Sequence, residues 1–326
     1  MAKAKKHYLS GKRVLLTGAT GYIGSELLPH LEAVGAKVTC TTRRTPTPEG
    51  WRHLDLENPG DTEALCRDQD VVLHMAALRG QPGKPASVIR KVNTASTEAL
   101  YDGAIKAGVT DFIFVSTVGV CGFVANMSET TPYGDDDDPY HRSKADAEEL
   151  LLRRKGEIER LVIIRPCVVY GERRDDGFVR NLTKLVRTGF FANIGRTSPT
   201  LQMVYIQNLI EGMLLLMSKG EHGEIYQLAD ERGLKVHEIA NLIADVAGKR
   251  ILPFKVPVLA AKVAAAGFEK LAGLLGKRAF MSPHKLQLFI APQSFDIRKA
   301  KSLGYSPSHN VESALRKSVA ALLEAL

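Results

Sequence analysis

Cysteine is scarce, four in 326 residues, and no two of Cys40, Cys66, Cys121 and Cys167 share a metal-ligand or redox spacing. A disulfide framework is therefore not expected, and a reducing, cytoplasmic setting is. Long apolar runs are lacking as well. No uncharged stretch reaches the ~18 residues that span a bilayer, and the basic segment Met1–Lys6 leads into no apolar signal core. A soluble or peripheral protein is expected. Acidic clusters are few. In the run Asp135 to Asp138, consecutive carboxylates point in different directions, so it reads as a solvated loop and helix cap, and no metal is expected. The net charge is +8, with the excess at one end: from Arg250 onward there are 12 Lys and Arg against 4 Asp and Glu. Such a patch suits acidic lipid, nucleic acid or an acidic partner, or is simply a solvated surface. No nucleic-acid motif accompanies it, so no nucleic-acid partner is expected.

Glycine, in contrast, is placed with a period. Val14–Leu16 reads as a buried strand, Gly18, Gly21 and Gly24 follow at spacings of three, and Ser25 to Leu31 supply helix formers. Strand, glycine turn and helix start make the layout of a dinucleotide site. The first glycine turns the chain, the second admits a pyrophosphate to the backbone, and the third lets the helix pack on the strand. The helix N-terminus then offers free N–H groups and a positive dipole end.

Further along, strands and helices alternate. The spacing predicts a helix to Val34 capped by Gly35, a strand Lys37–Thr42, a strand end at His53–Leu56, a short helix Asp61–Asp68 and a buried strand Asp70–His74. A loop from Gly80 to Pro85, a long helix Ala86–Ala107 and an apolar strand Asp111–Ser116 come next. Residues 1–11 read as a frayed tail. This alternation predicts an α/β fold, a doubly wound parallel Rossmann sheet. An acid some 20 residues beyond the glycines would mark NAD, because it binds a ribose 2′-hydroxyl. Here Arg43 and Arg44 stand there instead, and guanidinium groups suit a 2′-phosphate. NADP is therefore the expected cofactor, with NAD the alternative.

Tyr140 and Lys144 open a helix one turn apart and share its face. A free phenol titrates near pH ~10. A nearby ammonium favours the phenolate, which suits the pair to general acid–base work on a hydroxyl or carbonyl. A Ser or Thr hydroxyl at the neighbouring strand tip could hold the same oxygen. Tyr133 has no such partner, since position 137 is Asp.

Taken together, Thr17-Gly18-x-x-Gly21-x-x-Gly24, His74-x-Ala76-Ala77, Ser116-Thr117 with Val120-Cys121-Gly122, Tyr140 with Lys144, Arg165-Pro166 and Val169-Tyr170-Gly171 resemble the extended short-chain dehydrogenase/reductase, or epimerase/dehydratase, superfamily. Val204-Tyr205-Ile206, Gly223 to Tyr226 and Leu303-Gly304-Tyr305-x-Pro307 extend the likeness over nearly the whole chain. The resemblance implies that Tyr140 is the acid–base, that Lys144 holds the nicotinamide ribose and tunes Tyr140, and that Thr117 is the catalytic hydroxyl. It implies a cofactor set of Gly18, Thr20, Gly21, Tyr22, Ile23, Gly24, Arg43, Arg44, Asp55, Leu56, Met75, Ala76, Ala77, Asn93, Ser116, Tyr140, Lys144, Pro166 and Val168, with Asp55 on the adenine.

Within that superfamily, sugar dehydratases carry Asp-Glu after the catalytic Thr, where this chain has Val118-Gly119. Nucleotide-sugar enzymes carry Asn and Arg where Val168 and Leu201 stand, which favours a less polar substrate. Asn208 fits the branch of 3β-hydroxysteroid dehydrogenases and dihydroflavonol reductases. The expected function is an NADP(H)-dependent interconversion of a secondary alcohol and a ketone on a sterol-, isoprenoid- or polyphenol-like substrate. The alternatives are a nucleotide-sugar 4-epimerase with bound NAD and a non-catalytic NADP-binding sensor or assembly factor. Residues 1–170, with 200–228 returning, are expected to form the cofactor lobe, and 171–199 with 229–326 a smaller, mainly helical substrate lobe. The resemblance suggests a homodimer. The apolar stretch Val263 to Gly276, punctuated by Lys262, Lys270, Lys277 and Arg278, could line a pocket, pack as an ordinary amphipathic helix or lie on an acidic membrane.

Overall fold

A computed structural model describes residues 7–79, 85–135, 138–173, 177–189, 191–195, 197–274 and 282–326. Several segments read from the sequence lie wholly or partly outside these residues: Met1–Lys6, the loop after Arg79, the middle of the acidic run, and Lys277 with Arg278.

The first half of the chain alternates strand and helix. It runs β1 (Arg13–Thr17), α1 (Tyr22–Ala33), β2 (Lys37–Thr42), β3 (Arg52–His53), α2 (Thr62–Cys66), β4 (Val71–His74), α3 (Ala86–Lys106), β5 (Asp111–Val115), α4 (Pro139–Arg153) and β6 (Arg160–Pro166). Shorter elements follow: β7 (Val168–Tyr170), α5 (Phe178–Arg187), β8 (Ala192–Ile194), β9 (Thr200–Leu201), β10 (Met203–Tyr205), α6 (Ile206–Lys219) and β11 (Glu224–Leu228). The chain ends through β12 (Leu234–Lys235), α7 (Val236–Val246), β13 (Leu252–Val256), α8 (Val258–Leu274), α9 (Pro283–Ile290), α10 (Arg298–Ser302) and α11 (Val311–Glu324).

Seven strands form one sheet in the order β11-β6-β5-β4-β1-β2-β3, and every pair in it is parallel. The order reverses beside β1, the switch point where an open α/β sheet binds its ligand. Both faces are covered, which explains the near-continuous apolar strands. Leu15, Val72, Phe112, Phe114, Leu161 and Ile163 pack with Leu100, Tyr101 and Leu151 on one side. Val14, Leu16, Val71, Leu73, Ile113, Val162 and Ile164 pack with Leu27, Leu31 and Leu209 on the other. The period of two in each strand thus fills two cores at once.

The N-terminus departs from expectation. From His7 onward it is docked rather than frayed. Leu9 is fully buried, and the Tyr8 hydroxyl donates to Asp111 Oδ2 at 2.7 Å. Asp111 also takes Lys12 Nζ at 3.1 Å and Arg160 Nε at 2.7 Å, so a carboxylate at the foot of β5 ties the tail to the sheet. The four cysteines are buried free thiols. Outside the large sheet, β10 pairs with β7 and β13 with β8 in parallel, and β12 with β9 antiparallel.

Candidate active site

Above the C-terminal ends of β1, β2 and β4 lies a cleft of about 720 Å³. Gly18 (φ +79°) turns the chain off β1, and a Cβ there would lie 2.9 Å from Ala76 N. At Gly24 a Cβ would lie 2.3 Å from Gly18 O and 2.8 Å from Ala19 Cα. The loop and the first turn of α1 are therefore packed backbone on backbone. Both contacts are with main-chain atoms that cannot swing away. Gly24→Ala is therefore expected to destabilise the protein by roughly 1–3 kcal/mol, as overpacking does, and to abolish cofactor binding. Unfolding and cofactor titration of that variant check both effects.

A buried polar relay holds the tip of β4 beside this loop. Thr17 Oγ1 accepts from Met75 N and Ala76 N, each at 3.1 Å. Its own proton therefore goes to His74 Nδ1, 2.7 Å away. This leaves the proton of the ring on Nε2, which donates to Thr97 Oγ1 at 3.1 Å, and Thr97 donates on to Asn93 O at 2.9 Å. Burial, reinforced by the charge of Lys144, pushes the His74 pKa down to about 3. Unfolded, the imidazole titrates near ~6.5. Between those values the unfolded chain takes a proton that the folded chain refuses. Stability from this group is complete above pH ~6.5 and falls with acid by about 1.4 kcal/mol per pH unit. Compared by urea unfolding, the stability gap between wild type and His74→Gln should shrink by about 2 kcal/mol from pH 7 to pH 5. A gap that does not change would refute the buried neutral histidine.

Fourteen of the sequence-expected site residues line the cleft: Gly18, Thr20, Gly21, Tyr22, Ile23, Gly24, Arg43, Asp55, Leu56, Met75, Ala76, Ala77, Ser116 and Tyr140. The others sit behind or beside it. Arg44 lies past Arg43, its backbone N–H on Thr42 Oγ1 at 3.1 Å. Asn93 is a strut: its amide bonds Leu78 N and O and donates to Ser143 Oγ, so it ties the loop after β4 to α4. Thr117 caps the short turn Val118–Cys121 and accepts from Gly119 N at 3.2 Å. Pro166 ends β6 and Val168 opens β7.

α4 carries the chemical groups on one stripe. Asp138 Oδ1 accepts from Tyr140 N and His141 N and starts the helix. Tyr140 is half-buried in the cleft wall. One turn on, Lys144 is 2% exposed, and its Nζ donates to Val115 O at 2.7 Å. Burial lowers the Lys144 pKa to about 7; the Glu148 carboxylate opposes that fall and Arg79 adds to it. One turn further, Glu148 is fully buried and takes a bidentate ion pair from Arg165, with Nε–Oε1 at 3.0 Å and Nη2–Oε2 at 2.5 Å. The Tyr133 hydroxyl adds a bond to Glu148 at 3.1 Å.

Several lining residues escaped the sequence reading, among them Glu26, Thr41, Thr42, Glu57, Arg79 and Arg173. Arg79 has its guanidinium 5.7 Å from the centre of the Tyr140 ring. Its place just after His74-x-Ala76-Ala77 was the available signal. Arg173 pairs with Glu26 at 2.9 Å, a contact between distant segments that has no local signature.

Two features fit a dinucleotide. The cradle Gly18, Gly21 and Gly24 lines the cleft with bare backbone at the N-terminus of α1. Ser116 Oγ, buried at the cleft wall, has no hydrogen-bond partner among the described residues. A parallel sheet with this cradle at its switch point defines a dinucleotide-binding α/β protein. The chain belongs to the NAD dependent epimerase/dehydratase family, whose model matches residues 14–229, the extended short-chain dehydrogenase/reductases, which are NAD(P)-dependent enzymes. It is similar to an N-acetyl-α-D-glucosaminyl-diphospho-ditrans,octacis-undecaprenol 4-epimerase of Escherichia coli O157:H7, 28% identical over 312 residues and 94% of each chain. It is likewise 28% identical to a 3 beta-hydroxysteroid dehydrogenase/Delta 5-->4-isomerase of Mycobacterium tuberculosis, over 93% of this chain and 88% of that one. The fold matches the crystal structure of UDP-glucose 4-epimerase from Thermotoga maritima with a TM-score of 0.75 at 22% identity, covering 96% and 99% of the two chains.

Proposed function

We propose that the protein is an NADP(H)-dependent oxidoreductase interconverting a secondary alcohol and a ketone on a moderately apolar substrate. The observation that carries this reading is the cleft wall itself: Tyr140 and the unpartnered Ser116 hydroxyl line the same cavity as the glycine cradle. The bound nicotinamide would give or take the hydride. Tyr140 would move the proton at the substrate oxygen. Thr117, with Ser116 beside it, would hydrogen-bond that oxygen and orient it. Lys144, when charged, would favour the Tyr140 phenolate and hold a ribose hydroxyl. The cradle Gly18 to Gly24, with Thr20, would take the pyrophosphate, and Asp55 with Leu56 the adenine. Residues 171–199 and 229–326 would supply the substrate pocket, and the exposed faces of α3 and α4 a homodimer contact. The substrate class is supported by the names of two relatives, one acting on a polyisoprenoid-linked sugar and one on steroids.

Arg43 lines the cleft at the tip of β2, where its guanidinium suits a 2′-phosphate. A charge-assisted bond of this kind contributes roughly 1.5–3 kcal/mol. Arg43→Ala should therefore weaken NADPH about tenfold to a hundredfold and leave NADH within about threefold. Arg44→Ala should change either by much less. Calorimetric titration of both variants reads this directly.

A second reading, a sugar 4-epimerase with retained NAD, is favoured by the likeness to the E. coli enzyme. NADPH consumption with steroid, isoprenoid and polyphenol ketones separates the two. Turnover on one of these classes supports the reductase. No turnover on any, with NAD released only on denaturation, supports the epimerase.

A further inference from the structure

α8 has its apolar side turned outward. Of its 17 residues only Ala261 and Ala265 are buried. Leu259, Val263, Leu271 and Leu274 are 74%, 68%, 56% and 86% exposed. At 100° per residue these four fall within one arc opposite the two alanines, with Lys270 among them, flanked by Lys262 and Glu269 on one side and by the exposed Phe268 on the other. On the adjoining β13, Phe254 (57% exposed) and Lys255 also face solvent. The helix is about 25 Å long, from 1.5 Å per residue, and among the described residues none is long and apolar enough to cross a membrane. Such a patch on a soluble fold marks an interaction surface.

We propose that this face seats the protein on an anionic lipid surface, with the leucines entering the acyl boundary and the lysines meeting the headgroups. Charge decides the occupant. The basic excess of the chain lies in residues 250–326, and within it α8 carries Lys262 and Lys270 against one acid, Glu269. A second copy laid on this face would bring Lys270 and its neighbour Lys262 against their own kind, whereas anionic headgroups neutralise them. The inference goes beyond the proposed chemistry and does not depend on it. It would give an apolar substrate a route from the bilayer, but it concerns binding to lipid alone.

The test is co-sedimentation of the full chain with phosphatidylcholine vesicles, with and without a quarter of phosphatidylglycerol, at low and high salt. Binding to the anionic vesicles at least about tenfold tighter than to neutral ones is expected. L259E/L271E should lose about tenfold or more, and K262E/K270E a similar factor that vanishes at high salt. Both variants replace exposed residues and should unfold as wild type does. No binding to anionic vesicles would overturn the proposal, as would binding that the Leu→Glu changes leave intact. A concentration-dependent dimer abolished by L259E/L271E, without vesicle binding, would assign the face to a second copy. Each result reads independently of turnover, so loss of the membrane proposal leaves the reductase reading standing, and the reverse.

Discussion

Tyr140→Phe is expected to lower kcat by about 10²–10⁴-fold, the usual contribution of a positioned acid–base, with NADPH affinity held within about threefold. The substitution deletes one hydroxyl and keeps the ring, so the wall of the cleft and the Arg79 contact at 5.7 Å survive. The Asp138 cap of α4 uses the backbone N–H of Tyr140, not its side chain. Lys144 is held from Val115 O and does not rely on the phenol for its place. The variant therefore separates proton transfer from architecture. Activity surviving within tenfold would mean that the proton leaves by another group.

Glu148→Ala is expected to cost about 3–5 kcal/mol of folding stability, the range for breaking a buried ion pair from one side. Glu148 is fully buried and Arg165 is 1% exposed. Among the described residues, removing the acid leaves the guanidinium with Cys121 Sγ and Glu129 O at 3.5 and 3.4 Å and the Tyr133 ring centre at 5.6 Å, all weak partners. Burial works against the Arg165 charge, but the Glu148 carboxylate more than offsets it and holds the guanidinium ionised. The lost acid is also the group that opposes the fall of the Lys144 pKa, so this variant should lower that pKa further as well as destabilise the fold. Replacing both partners by leucine should recover much of the loss, because no charge is left stranded. Urea unfolding of the single and double variants measures this. A cost below about 1 kcal/mol for Glu148→Ala would show that the pair does not hold α4 to β6.

Much of the fold was legible because local rules and the tertiary result agree. The glycine run sits between a buried strand and a helix, so pattern and turn chemistry point the same way. β2 spans Lys37–Thr42 as the alternation predicted, and α3 stops before Gly108, whose φ is +72°. The parallel sheet followed from strand–helix alternation alone. What was not legible depends on distance in sequence. Glu148 and Arg165 are ordinary surface residue types, and only the packing of α4 on β6 makes them a buried pair. Asn93 stands in the expected cofactor set, yet its amide is a strut across three segments. Leu9 was assigned to a tail because a single apolar residue has no period. The outward face of α8 could not be told from an inward one, since amphipathicity gives the stripe but not its direction.

The central claim, an NADP(H)-dependent enzyme built on this cleft, is tested most directly by calorimetric titration of the purified protein with NADPH and with NADH. The account predicts binding of both with a clear preference for NADPH, and loss of that preference in Arg43→Ala. Preference for NADH, or no binding of either cofactor, would contradict it.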